Sequence, residues 1–293
     1  MNSFNRVDAV NNCAIWLQRV LNNPQDENAF QSALSALRSG SLSSELIELV
    51  RADKLVFSPD VGFIPTGVKW LDDSLGGGIR KGELFFVAGE THSGKTHILV
   101  YLAAKFIKQK LTVAHFNGED NRHDVYEIYG KILDDSDRDW LYVGDVRDCR
   151  FDINSIEQAI EGAKAKGVDP DIVLIDNLDV MAIGKHAPDW QAVGDLVRDL
   201  KMFARQYNCI VLTASQSGIQ DDQMPAKFKK SGLARLYRGK ASKAMHADII
   251  FTIEEKTDNY MHFKVPKRRG KRIEKRDVYL NIDFDTMLLH DIG

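Results

Sequence analysis

Cysteine is scarce in this chain. The 293 residues include three, Cys13, Cys149 and Cys209, an odd number lying far apart. None forms a CxxC pair and none has a histidine at zinc-ligand spacing, so neither a disulfide scaffold nor a cysteine-based metal module is expected. They read as reduced core thiols of a cytoplasmic protein. An excess of charge of one sign is also missing: 39 Lys and Arg stand against 42 Asp and Glu, a formal net charge of −3. The overall field therefore does not recruit a polyanion, and nucleic-acid binding would need a local basic patch. No apolar run approaches the roughly 20 residues of a membrane span, and residues 1–6 open no signal-peptide pattern, so no membrane partner is expected. No internal repeat and no Ser/His/Asp constellation emerges. What remains is ordinary for a globular protein, 44% hydrophobic and 28% charged, in a chain long enough for one large α/β domain and something small.

The most informative stretch begins with the apolar run Leu84-Phe85-Phe86-Val87-Ala88, which predicts a buried strand. Gly89-Glu90-Thr91-His92-Ser93-Gly94-Lys95-Thr96 follows directly, and residues 97–109 then carry a helical pattern. Strand, glycine-bounded loop, Gly-Lys-Thr and helix form a phosphate-binding P-loop in the context that motif requires. The loop's N–H groups cradle phosphate oxygens and the helix N-terminus adds its dipole. Glycine at 89 and 94 permits backbone angles that a side chain would obstruct. The expectation is a site for ATP and Mg²⁺ formed by residues 89–96, with Lys95 on the β- and γ-phosphates and the Thr96 hydroxyl on the metal. His92 reads as a spacer in the loop.

Residues 1–57 read as a separate small helical region. Val7, Val10, Ala14, Leu17 and Leu21 recur at helix spacing, and shorter stripes follow to residue 50. Such short helices bury little alone, so they pack on the main domain or on a neighbouring subunit. Residues 58–293 form the second region, entered through a linker with Pro59 and Pro65. There, strands at 111–116, 172–176 and 209–216 alternate with helices at 153–166 and 190–207, which predicts a mostly parallel sheet flanked by helices. A late, antiparallel run of strands is expected at 247–254, 262–266, 278–284 and 287–290. In such sheets ligands sit at the carboxyl ends of the strands.

Polar residues fall at those ends. Ile172-Val-Leu-Ile175-Asp176 is an apolar strand ending in an acid, the Walker B pattern, which assigns Asp176 to Mg²⁺. Glu119 follows the second strand, where it can polarise a water in line with the γ-phosphate; Asp120 is the adjacent alternative. Gln216 closes another strand, where its amide can sense the γ-phosphate and signal to the loop beyond. That loop has no acid from 223 to 247. It holds Lys227, Lys229, Lys230, Arg235, Arg238 and Lys240 with Phe228 and Tyr237 among them. Basic residues interleaved with aromatics suit the backbone and bases of a single strand. A second basic cluster, Lys264-Val-Pro-Lys267-Arg268-Arg269-Gly270-Lys271-Arg272, is expected in a turn between two strands, where it binds nucleic acid or supplies cations to a neighbour's ATP.

With these motifs the chain resembles the RecA-like ATPases and, within them, the DnaB-type hexameric replicative helicases of superfamily 4. The likeness runs from about Pro65 to the C-terminus. It rests on Gly89 to Thr96, Glu119, Asp176-Asn177-Leu178, Thr213-Ala-Ser-Gln216, Ser242-Lys-Ala-Met-His-Ala-Asp248 and Lys267-Arg268-Arg269-Gly270. Leu75-Gly-Gly-Gly-Ile79 is closer to RadA- and KaiC-like members, and the absence of a zinc-binding module makes the resemblance one to a minimal, phage-like form. The resemblance implies a RecA-like core and ATP hydrolysis between subunits of a homo-oligomeric ring, a hexamer closed over single-stranded DNA during DNA replication. It also implies Lys267 and Arg269 as trans-acting lysine and arginine finger, DNA-binding loops near 183–191 and 218–240, and a primase or loader as partner. The alternatives within the family are a recombinase filament and a KaiC-like regulatory ATPase.

Overall fold

The computed structural model describes residues 62–90, 92–118, 122–145, 151–183, 190–216, 246–257, 260–270, 277–283, 286 and 288–291. All belong to one compact unit, Asp60–Gly293. The expected helical region at 1–57 lies outside the described residues.

The order of elements is helix α1 (Lys69–Leu75), strand β1 (Leu84–Gly89), α2 (Lys95–Lys108), β2 (Val113–Asn117), α3 (Arg122–Gly130), a 3₁₀ turn (Asp135–Trp140) and β3 (Leu141–Asp145). Then come α4 (Ile153–Lys164), β4 (Ile172–Asp176), α5 (Leu178–Ile183), α6 (Trp190–Gln206), β5 (Ile210–Gln216), β6 (Ile249–Lys256), β7 (Met261–Arg268), β8 (Asp277–Asp283) and β9 (Leu288–Asp291). The strands form one nine-stranded sheet, ordered β3-β2-β4-β5-β1-β6-β7-β8-β9. The pairings from β3 through β6 are parallel, and those from β6 to β9 are antiparallel. The expected parallel sheet is therefore present. The late run differs in one respect: its first strand, β6, lies parallel to β1, and only the hairpins beyond it reverse.

Period-two alternation sends each strand's side chains to opposite faces, and both faces are covered. Phe85 and Val87 of β1 join Leu174, Leu212 and Phe251 in a core shared with α1, α2 and α3. Leu84, Phe86 and Ala88 join Phe116, Ile175 and Val211 in a second core shared with α4, α5 and α6. Burying a Phe or Leu of this kind contributes about 1.5–3 kcal/mol relative to exposure. This explains why the central strands read as unbroken apolar runs. Cys209 is a buried free thiol whose pKa burial raises to about 12, an inert core group as expected.

Helix α1 is too short to stand out by periodicity. Its signal is Leu71 and Leu75, four residues apart and both buried, followed by Gly76 at φ 72° in the left-handed C-terminal position. Helix α4 starts on a reciprocal cap: Ser155 N donates to Asp152 Oδ1 at 3.0 Å and Asp152 N donates to Ser155 Oγ at 3.1 Å. Among the described residues no helix is long and apolar enough to cross a membrane.

Candidate active site

The strand order brings dispersed sequence positions to one edge. Gly89 at the end of β1 stands in register with Gln216 at the end of β5. Asn117 at the end of β2 stands in register with Asp176 at the end of β4. Strand β5 lies between β4 and β1, with Thr213 in register with Ile175. The P-loop, the acid of β4 and Gln216 thus share the carboxyl edge, where open α/β sheets bind ligands.

The loop itself is tightly built. Gly94 takes φ 91°, ψ 22° immediately before α2, and His92 takes φ 61°. Lys95 opens the helix and is 9% exposed. Its Nζ donates to the carbonyls of Glu90 at 2.7 Å and Gly89 at 3.3 Å, so its ammonium lies across the loop. A Cβ on Gly89 would fall 2.4 Å from Ser93 Oγ, and one on Gly94 would fall 3.1 Å from Met261 Cε. Ser93 Oγ is buried and meets no hydrogen-bond partner among the described residues. A buried hydroxyl of this kind costs free energy unless a ligand satisfies it. This loop, crowded at 89, left-handed at Gly94 and holding a buried polar atom and an ammonium, fits a phosphate group. Thr91 lies outside the described residues.

The acid side of the site is braced by its neighbours. Asp176 is 2% exposed. Its carbonyl accepts from Gly118 N at 2.8 Å, which ties the end of β4 to that of β2. Asn177 Oδ1 accepts from Asp179 N at 2.9 Å and Val180 N at 3.3 Å, capping α5. Ser215 Oγ donates to Asp179 Oδ1 at 2.9 Å, which ties α5 to β5. Sequence reasoning missed Asp179 and Ser215 because their link depends on sheet order. Among the described residues no three His, Cys, Asp or Glu converge as a metal cage. Mg²⁺ is ordinarily held by one or two protein groups together with substrate phosphates; Thr96 and Asp176 are the residues that would hold it.

Beneath Asp176, His115 of β2 is fully buried, with Nδ1 3.2 Å from the Tyr129 hydroxyl. Burial pushes its pKa down to about 3, and burial together with the charge of Asp176 pushes Tyr129 up. His115 is a neutral core residue. His123, by contrast, is exposed on α3, 3.8 Å from Glu127.

The second basic cluster sits differently from expectation. Lys264, Lys267 and Arg268 lie within β7, and the turn begins only at Arg269-Gly270. Because β7 runs antiparallel to β6, with Arg268 opposite Ile249, this end lies at the amino edge of the parallel strands. Arg268 is buried: Nη1 lies 2.7 Å from Glu83 Oε2, and the guanidinium is 5.6 Å from the Phe63 ring. Arg269 is half exposed, with Nη1 3.7 Å from Asp248 Oδ1. Asp248 lies beside Leu84, and the strand from there to Gly89, about 16 Å long at roughly 3.3 Å per residue, separates Arg269 from its own P-loop. Glu119, Asp120, Lys227, Lys229, Lys230, Arg235, Arg238, Lys240 and the loop at 184–189 lie outside the described residues, as does the side chain of Lys267.

Strand β1, its glycine-bounded loop and α2, with an acid ending β4 on the same edge, define a P-loop domain of RecA-like architecture. The chain belongs to the AAA-domain family, whose model matches residues 50–222. It is similar to Protein RecA of Fusobacterium nucleatum subsp. nucleatum, 33% identical over 108 residues, 36% of this chain and 27% of the relative. It is also similar to DNA repair protein RadA of Halalkalibacterium halodurans, 36% identical over 120 residues, 39% of this chain and 23% of the relative. The chain therefore spans about a quarter of the length of these relatives.

Proposed function

We propose that the protein is an ATP hydrolase that works as a homo-oligomer on single-stranded DNA, as a DnaB-like helicase or translocase. The observation that carries this reading is the gathering of Gly89, Asn117, Asp176 and Gln216 at one edge while Arg269 occupies the other. Lys95 and the loop amides bind and orient the triphosphate. Thr96 and Asp176 are the residues that would hold Mg²⁺, which when bound would supply positive charge to the phosphate oxygens. Glu119, two residues beyond Asn117, orients the attacking water and accepts its proton. Gln216 relays the state of the γ-phosphate to the loop that follows it, which has no acid from 223 to 247 and where Lys227 to Lys240 contact the DNA backbone.

Arg269, with Lys267, acts on the nucleotide of a neighbouring subunit, because its own P-loop is out of reach. An arginine supplied in trans is worth about 10³–10⁵ in rate. Oligomerisation is then a condition of turnover, and residues 1–57 are the candidate assembly element. A second reading, a strand-exchanging recombinase filament, is favoured by the names of the two relatives, Protein RecA and DNA repair protein RadA.

The test is DNA-stimulated ATP turnover followed by two assays on the same preparation. Unwinding of a forked duplex without pairing of homologous strands supports the helicase reading, and pairing without unwinding supports the recombinase. Turnover that ignores DNA leaves a regulatory ATPase and refutes the motor.

A further inference from the structure

We propose that Asp248, braced by Lys201, is the residue that positions Arg269 for the triphosphate bound to a second copy of the chain; the inference rests on the trans role of Arg269 given above. Asp248 is 3% exposed and Lys201 is 8% exposed. Asp248 Oδ2 accepts from Leu84 N at 2.9 Å and lies 2.5 Å from Lys201 Nζ. Lys201, on α6, also donates to the Gly82 carbonyl at 2.5 Å. These contacts hold the carboxylate of Asp248, the residue just before β6, from two elements: the start of β1 and the helix packed beneath it. The Asp248 carbonyl then accepts from Arg269 N at 2.8 Å, and its Oδ1 faces Arg269 Nη1 at 3.7 Å.

The charges explain why this arrangement presents Arg269 instead of sequestering it. Asp248 carries one negative charge, already paired at close range with Lys201. Arg269 adds a second positive charge, so the three residues leave one in excess, on the guanidinium whose side chain is 52% exposed. The neighbouring Arg268 cannot take this part, because its side chain is 2% exposed and bound to Glu83. The main-chain bond at Arg269 fixes where the side chain begins. The longer contact with Oδ1 limits its directions while leaving its N–H groups available to an anion. A guanidinium restrained in this way loses less freedom on meeting a phosphate.

The test uses the full-length protein with single-stranded DNA. Asp248→Asn keeps an acceptor for Leu84 N but removes the charge facing Arg269. Its DNA-stimulated turnover should fall at least tenfold, while affinity for a fluorescent ADP analogue stays within twofold of the unmodified protein. Mixing it with Lys95→Ala subunits should then restore turnover above the sum of the two alone. The Lys95→Ala subunit has an intact Arg269, and the Asp248→Asn subunit has an intact P-loop. A general folding defect would show no such rescue. Should Asp248→Asn prove unfolded, Lys201→Gln with Asp248→Asn, which replaces both buried charges together, is read in the same way. If Arg269→Ala is inactive but Asp248→Asn keeps turnover within twofold, or loses it without rescue on mixing, the positioning role is overturned. If Arg269→Ala itself turns over normally, the trans reading falls, and this inference falls with it.

Discussion

Replacing Gly89 by alanine tests the geometry of the loop. The new Cβ would lie 2.4 Å from Ser93 Oγ and 3.2 Å from Ile253 Cβ. Ile253 belongs to β6 and is fixed in the core, so the loop must give way on the Ser93 side. Crowding a packed site costs about 1–3 kcal/mol. Loss of a glycine returns about 0.4–1 kcal/mol by restricting the unfolded chain. Folding stability should therefore change little, because the loop relieves most of the clash by moving. Binding nucleotide must drive it back, and the same 1–3 kcal/mol then weakens affinity by roughly 5- to 150-fold, at about 1.4 kcal/mol per tenfold. Titration with a fluorescent ATP analogue measures this directly. Ser93→Ala removes the atom struck, so Gly89→Ala should cost less affinity on the Ser93→Ala background than on the unmodified protein, a coupling that a double-mutant cycle isolates. Gly89→Ala binding nucleotide within twofold of the unmodified protein would refute the reasoning.

Other consequences can be checked separately. Asp176→Asn should leave metal-free nucleotide binding within a fewfold while raising the Mg²⁺ concentration needed for half-maximal turnover by tenfold or more; an unchanged Mg²⁺ curve would remove Asp176 from the metal site. Charge reversal at Lys229 and Lys230 should weaken single-stranded DNA binding across all sequences and reduce its salt slope by about 0.7 for each phosphate no longer neutralised, measured by fluorescence anisotropy; unchanged binding would place the DNA elsewhere. His115 stays neutral in the folded protein down to about pH 3, whereas an unfolded histidine protonates near 6.5. The unfolded state therefore binds the extra proton as pH falls from about 6.5 towards 3, and stability is lost at up to about 1.4 kcal/mol per unit. His115→Leu should reduce the stability difference between pH 7.5 and pH 5.0 by about 2 kcal/mol in urea melts, and an unreduced difference would contradict the assignment.

The P-loop was legible because its whole signal is local: the apolar run to Ala88, Gly89, Gly94-Lys95-Thr96 and a helical pattern all lie within residues 84–109. The alternation of strands and helices carried the sheet's parallel character for the same reason. The arrangement of the carboxyl edge depends on strand order, which sequence spacing does not carry. Asp176 and Gly89 are 87 residues apart by their numbering, yet only β5 separates their strands. The amino edge was the harder part. Lys267, Arg268 and Arg269 look equivalent in sequence, but Arg268 is neutralised by Glu83 inside the protein and Arg269 is not. Lys201 and Asp248 are 47 residues apart by their numbering, and only the packing of α6 beneath β1 and β6 joins them.

Everything in the proposed mechanism depends on ATP being consumed across subunits and under control of a bound strand. Steady-state ATP turnover, measured over a hundredfold range of protein concentration with and without a single-stranded oligonucleotide, tests this most directly. Turnover per subunit should climb with protein concentration and rise further when the oligonucleotide is present. A per-subunit rate that is the same at every concentration and indifferent to the oligonucleotide would contradict it.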